Sequence, residues 1–85
     1  MKRNITVFVE NEKYKFNADI NTLEELKREL DNRKIEYSHK HIIEGISKTE
    51  LKEGELPKNI VYQGRKTNDL IILIKSTPRP ITFFV

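Results

Sequence analysis

The sequence contains no cysteine and no tryptophan, and only three glycines and three prolines among 85 residues. Without cysteine there are neither disulfides nor thiolate metal sites, which excludes the stapled scaffolds of small secreted proteins. No apolar run approaches the roughly 20 residues of a membrane span, and the opening Met-Lys-Arg-Asn lacks the apolar stretch of a signal peptide. A cytoplasmic setting is therefore expected. Gly45, Gly54 and Gly64 are too dispersed to form a phosphate-cradling loop. Repeats and low-complexity segments are also lacking.

What is present is one domain with a thin core, because a chain this short buries about 60–65% of its unfolded surface. Residues 4–17 predict a hairpin: Ile5, Val7 and Val9 fall on one face, Thr6, Phe8 and Glu10 on the other, and Tyr14 and Phe16 resume the alternation. Asn11 is the expected left-handed turn residue. Residues 21–34 predict the one clear helix, with Leu23, Leu26 and Leu30 as a narrow apolar stripe. Asn21 or Thr22 can cap it, and Glu25 stands at capping-box spacing from Thr22. Glu24 and Arg28 are spaced as an i,i+4 pair. Residues 41–47 read as a short strand, 48–57 as a polar loop, 59–62 as a short strand and 63–69 as a turn. The unbroken run Leu70, Ile71, Ile72, Leu73, Ile74 then reads as a central strand, since strands covered on both faces lose their alternation. Residues 5–9 are its expected parallel neighbour. One helix on one face of a mixed four- or five-stranded sheet is the economical α+β arrangement.

Three segments, "ITVFVENEKYKF", "TLEELKREL" and "YQGRKTNDLIILI", carry a resemblance over residues 4–75 to the ubiquitin-like β-grasp fold. The opening also resembles bacterial multi-ubiquitin-like and sulfur-carrier domains, with Glu12 where their hairpin often has glycine. The resemblance implies a β-grasp domain over residues 1–76, followed by an apolar tail at 77–85. Ubiquitin-like modifiers and sulfur carriers end in Gly-Gly, whereas here the last residues are Thr82, Phe83, Phe84 and Val85. Modifier or carrier chemistry is accordingly disfavoured.

Enzymatic constellations are weak. Ser38, Ser47 and Ser76 have no nucleophile-elbow context, and Glu24, Glu25, Glu29 and Asp31 sit on a helix face expected to be solvated. His39 and His41 would share a strand face, which suits two metal ligands, but Glu36 and Glu44 are poorly spaced to complete a set. No catalytic residue, metal or cofactor is expected. Charge is uneven: residues 56–85 carry Lys58, Arg65, Lys66, Lys75 and Arg79 against Asp69 alone, a net +4 in a chain whose total is +3. Lys13, Lys15, Arg65, Lys66, Lys75 and Arg79 form a candidate basic patch, with Lys2 and Arg3 near it. Together with Phe8, Tyr14 and Phe16 that patch supports an alternative reading as a small nucleic-acid-binding protein.

The main expectation comes from the sheet face that the helix leaves open. If Leu70, Ile72 and Ile74 face one way, Ile71 and Leu73 face the other, joined by whichever face of the first strand lies outward, with Phe8 the candidate contact there. Large bare apolar patches are rare on monomers. Either the tail, with Ile81, Phe83, Phe84 and Val85 beyond the Pro78 and Pro80 hinge, folds back over this face, or tail and face meet another molecule. The expected function is a non-enzymatic protein–protein interaction or assembly module whose contact residues are Phe8, Ile71, Leu73, Ile81, Phe83, Phe84 and Val85, with a protein partner or a second copy and no membrane.

Overall fold

In the computed structural model, residues 2–76 are described. The elements run β1 (Arg3–Val9), β2 (Glu12–Ala18), α1 (Leu23–Asn32), β3 (His41–Glu44), β4 (Thr49–Glu50), β5 (Ile60–Tyr62), β6 (Arg65–Thr67) and β7 (Leu70–Lys75). Five of the strands form one mixed sheet in the order β2-β1-β7-β3-β4, and β5 and β6 form a separate two-stranded ribbon. Strand β7 is central and parallel to β1, with Ile5 opposite Leu70 and Val9 opposite Ile74, the pairing expected for the unbroken apolar run. Its other neighbour, β3, is antiparallel.

The β1–β2 hairpin has Val9 opposite Glu12, so Glu10 and Asn11 make a two-residue loop. The left-handed residue is Glu10, at φ 55°, not Asn11 as expected. The register explains this correction, because hairpin turns of this length require positive φ at their first central residue.

Helix α1 starts where the capping box predicts. Thr22 accepts a hydrogen bond from the Glu25 backbone N–H, and the Glu25 carboxylate accepts from the Thr22 N–H. It ends in a Schellman arrangement, with Ile35 N–H donating to Leu30 O at 2.9 Å and Lys34 N–H to Asp31 O at 3.0 Å. Lys34 takes the left-handed position, at φ 60°, and buried Ile35 supplies the apolar contact that usually accompanies the motif. On its surface Glu29 pairs with Arg33.

Leu23, Leu26 and Leu30 pack on Ile5, Val7, Leu70, Ile72 and Ile74, and Ile20, Ile35, Ile42 and Leu56 complete the core. Two segments differ from expectation. Within the anticipated loop, Thr49–Glu50 pairs with β3 as a short edge strand. The anticipated turn at 63–69 instead contains β6, joined to β5 through Gln63 at φ 54° and Gly64 at φ 78°. Two successive left-handed residues make the tight hairpin turn that a Gln-Gly pair supports less obviously than Asn-Gly. No helix among the described residues is long and apolar enough to cross a membrane.

Candidate functional site

Successive residues of a strand point to opposite faces, and cross-strand partners share a face. The helix takes Ile5, Val7 and Val9 of β1 and Leu70, Ile72 and Ile74 of β7. Phe8, Ile71 and Leu73 are thereby placed on the other side, as expected from the sequence. The registers set Lys13, Phe8, Leu73, Ile43 and Glu50 in one row across the sheet, from edge strand β2 to edge strand β4. Phe8 is 37% exposed and Lys13 Nζ lies 5.7 Å from its ring centroid. Leu73 and Ile71 are half-buried. Ile43 is only 3% exposed yet stands outside the helix-side core cluster.

At the β4 end of the row, His41 Nδ1 and Glu50 Oε2 are 2.6 Å apart. His39, at φ 61°, belongs to the turn before β3, so the two histidines are not successive same-face strand residues. Nor do the suggested acidic partners join them. Glu36 accepts from the Ser38 N–H, which holds its carboxyl below the usual range. Glu44 points to the helix side and is 1% exposed. Its carboxylate accepts from Ile46 N–H at 3.0 Å, Ser47 N–H at 2.7 Å and Ser47 Oγ at 2.8 Å, clamping the β3–β4 turn. Among the described residues no three potential metal ligands converge.

The candidate basic residues divide between locations. Lys15 and Arg65 line one groove of about 1030 Å³ between the lower part of the open face and the β5–β6 ribbon. Tyr62, 48% exposed, lines it as well. A hydrogen-bonded chain runs along its floor: Asn17 Nδ2 donates to Asn4 Oδ1 at 2.7 Å and Asn4 Nδ2 to Asp69 Oδ1 at 3.3 Å. Lys66 pairs with Val61 and alternates with Arg65, which places it on the ribbon's opposite face. Lys75 lies opposite His41 at the far end of β7. Arg79, Ile81, Phe83, Phe84 and Val85 lie outside the described residues.

Sequence reasoning missed Ile43, Glu50 and Tyr62. Ile43 carried a signal, since it is the outward member of an adjacent Ile-Ile pair in a strand. Glu50 and Tyr62 acquired their places only through pairings in segments read as loop or short strand.

The ribbon itself is fastened by Arg3, which is 5% exposed at the start of β1. Its Nε donates to Asn68 O at 2.8 Å and its Nη2 to Pro57 O at 2.5 Å, so one side chain grips both ends of the segment carrying β5 and β6. Burial pushes the guanidinium below its ordinary pKa, and nearby Asp69 opposes that shift.

No protein-family model, curated protein or solved structure gives a significant match to the chain.

Proposed function

We propose that this chain is a ubiquitin-like β-grasp domain acting as a non-enzymatic protein–protein interaction or assembly module, through its open sheet face and the tail at residues 77–85. The strand order β2-β1-β7-β3-β4, with parallel central strands and one helix on one face, supports the β-grasp reading. The observation that carries the functional reading is the apolar pair Phe8 and Leu73, with Ile71 beside it, accessible on the side away from the only described helix. Aromatic and aliphatic side chains flanked by charge are the usual composition of a contact surface with a polar rim.

Light scattering behind a sizing column tests the reading on the full chain, on a chain stopped after Ser76, and on the Leu73→Lys variant, at low and high salt. Assembly of the full chain that persists at high salt, lost in Leu73→Lys or on truncation, is the expected result. A full chain that is monomeric throughout and unfolds on truncation would instead make the tail an internal lid, and the assembly reading would fall.

The groove favours a second reading, binding of single-stranded nucleic acid. Lys15 and Arg65 would meet phosphates and Tyr62 would stack a base. Affinity for random oligonucleotides should then fall steeply with salt and further in Lys15→Glu/Arg65→Glu. Salt-independent binding, or none, removes this reading.

A further inference from the structure

Resting on that reading of the open face, we propose that its partner is a second copy of this chain, docked face to face about a two-fold axis parallel to the strands, with Lys13 of each copy against Glu50 of the other. The reason lies in the order of the row Lys13, Phe8, Leu73, Ile43, Glu50. It begins with a cation, ends with an anion and is apolar between, and its midpoint falls on the central strand β7. A two-fold axis lying along β7 reverses the row in the second copy. Leu73 then meets Leu73, the exposed Phe8 lies over strand β3, whose Ile43 is already buried within its own chain, and Lys13 meets Glu50 at both rims. An axis running across the strands would leave the row unreversed, setting Lys13 on Lys13 and Glu50 on Glu50. Charge therefore selects the first axis, and an isologous contact of this kind closes as a dimer.

The neighbouring rows accept this arrangement. In the next row Ile71 lies on β7 and meets its own copy, while Thr6, its β1 partner, falls over Gly45, which follows β3 and where Ile71 Cγ2 fills the place of the missing side chain. Lys75 also lies on β7, but at the end of the strand. Packed sheets are rotated by about 30°, which fans the strand ends apart and lets both ammonium groups reach water. At Glu50, Oε2 is engaged by His41, which among the described residues leaves Oε1 for the incoming lysine, and the side chain is 28% exposed. The row spans four inter-strand gaps, about 19 Å. A face of that width is at the small end for a stable interface, so the dimer is expected to depend on concentration.

The test is sedimentation equilibrium on the full chain from micromolar to millimolar concentration, with amide shift dispersion as the check on folding. The unaltered chain should dimerise. Lys13→Glu alone and Glu50→Lys alone each place like charges at both rims and should weaken the dimer at least about tenfold. Mixing the two variants puts opposite charges at both rims, so the mixture should associate although neither variant does alone. A merely structural effect of either substitution would not be rescued by mixing. A chain that stays monomeric at millimolar concentration, a dimer indifferent to both substitutions, or a mixture no tighter than its components overturns the proposal. The parent reading is tested separately: a monomer that binds an apolar dye, and loses that binding in Leu73→Lys, retains a docking face without a second copy as its occupant. A monomer that binds no dye loses both.

Discussion

Replacing Arg3 by methionine should destabilise the fold by about 2 kcal/mol, the balance of opposing terms at a single buried side chain. Hydrogen bonds from a charged donor contribute about 1.5–3 kcal/mol each, and Arg3 makes two, to the Pro57 and Asn68 carbonyls. Against them stands Nη1, which is buried and has no partner among the described residues. An orphaned polar group of this kind costs about 1–3 kcal/mol. Methionine removes the two bonds and the orphan together while keeping most of the apolar stem. Alanine also removes two methylenes, worth about 0.8 kcal/mol each, so Arg3→Ala should cost about 3–4 kcal/mol. Urea denaturation followed by circular dichroism reads both values. With a slope of about 1 kcal/mol/M for a small domain, the Arg3→Met midpoint should fall by about 2 M. Native-state hydrogen exchange should quicken most in β5 and β6, whose flanking carbonyls lose their clamp. If Arg3→Met matches the parent within about 0.5 kcal/mol, desolvation of the guanidinium cancels its bonds, and Arg3 does not fasten the ribbon.

Gly45→Ala should cost about 1–3 kcal/mol by overpacking, since a Cβ there would stand 2.6 Å from Ile71 Cγ2. The loss in melting temperature should shrink in an Ile71→Ala background, and an equal loss in both would place the strain elsewhere. Glu44→Ala should cost about 2–4 kcal/mol, measured by urea denaturation, because charged acceptor bonds to Ile46 and Ser47 are lost; a neutral outcome would mean that the turn holds without its clamp. The carboxyl of Glu25 is held below the usual glutamate range, chiefly by the Asn21 N–H, with Thr22 adding to the effect. A depressed folded-state value means that this stability is present above the unfolded glutamate pKa and is lost as pH falls through the folded one. Glu25→Gln should therefore flatten part of the acid limb in a melting-temperature profile against pH, and an unchanged limb would refute the assignment.

Elements with a dense local signal were legible in the sequence. The Thr22–Glu25 spacing located the helix start, and the alternation of residues 5–9 divided their side chains between two faces. The run Leu70 to Ile74 identified the central strand, and the nearly as apolar residues 5–9 its parallel neighbour. The open-face positions of Phe8, Ile71 and Leu73 followed from the same parity. Local pattern failed where an element is short: Thr49–Glu50 is a strand only because β3 offers it a ladder, and Arg65–Thr67 only because Gln63 and Gly64 turn the chain back.

The sequence by itself determined the α+β class, the helix and its cap, and the division of β1 and β7 into two faces, since each depends on the spacing of residues close together in the chain. Tertiary structure alone decided which distant residues share a surface. Register across five strands placed Lys13 and Glu50 at opposite ends of one apolar row, and strand parity separated Lys66 from Arg65 despite their adjacency. The fold also drew Arg3 into the protein to hold carbonyls 54 and 65 positions away. Such placements depend on backbone pairing and burial between remote segments, so neither composition nor local spacing encodes them.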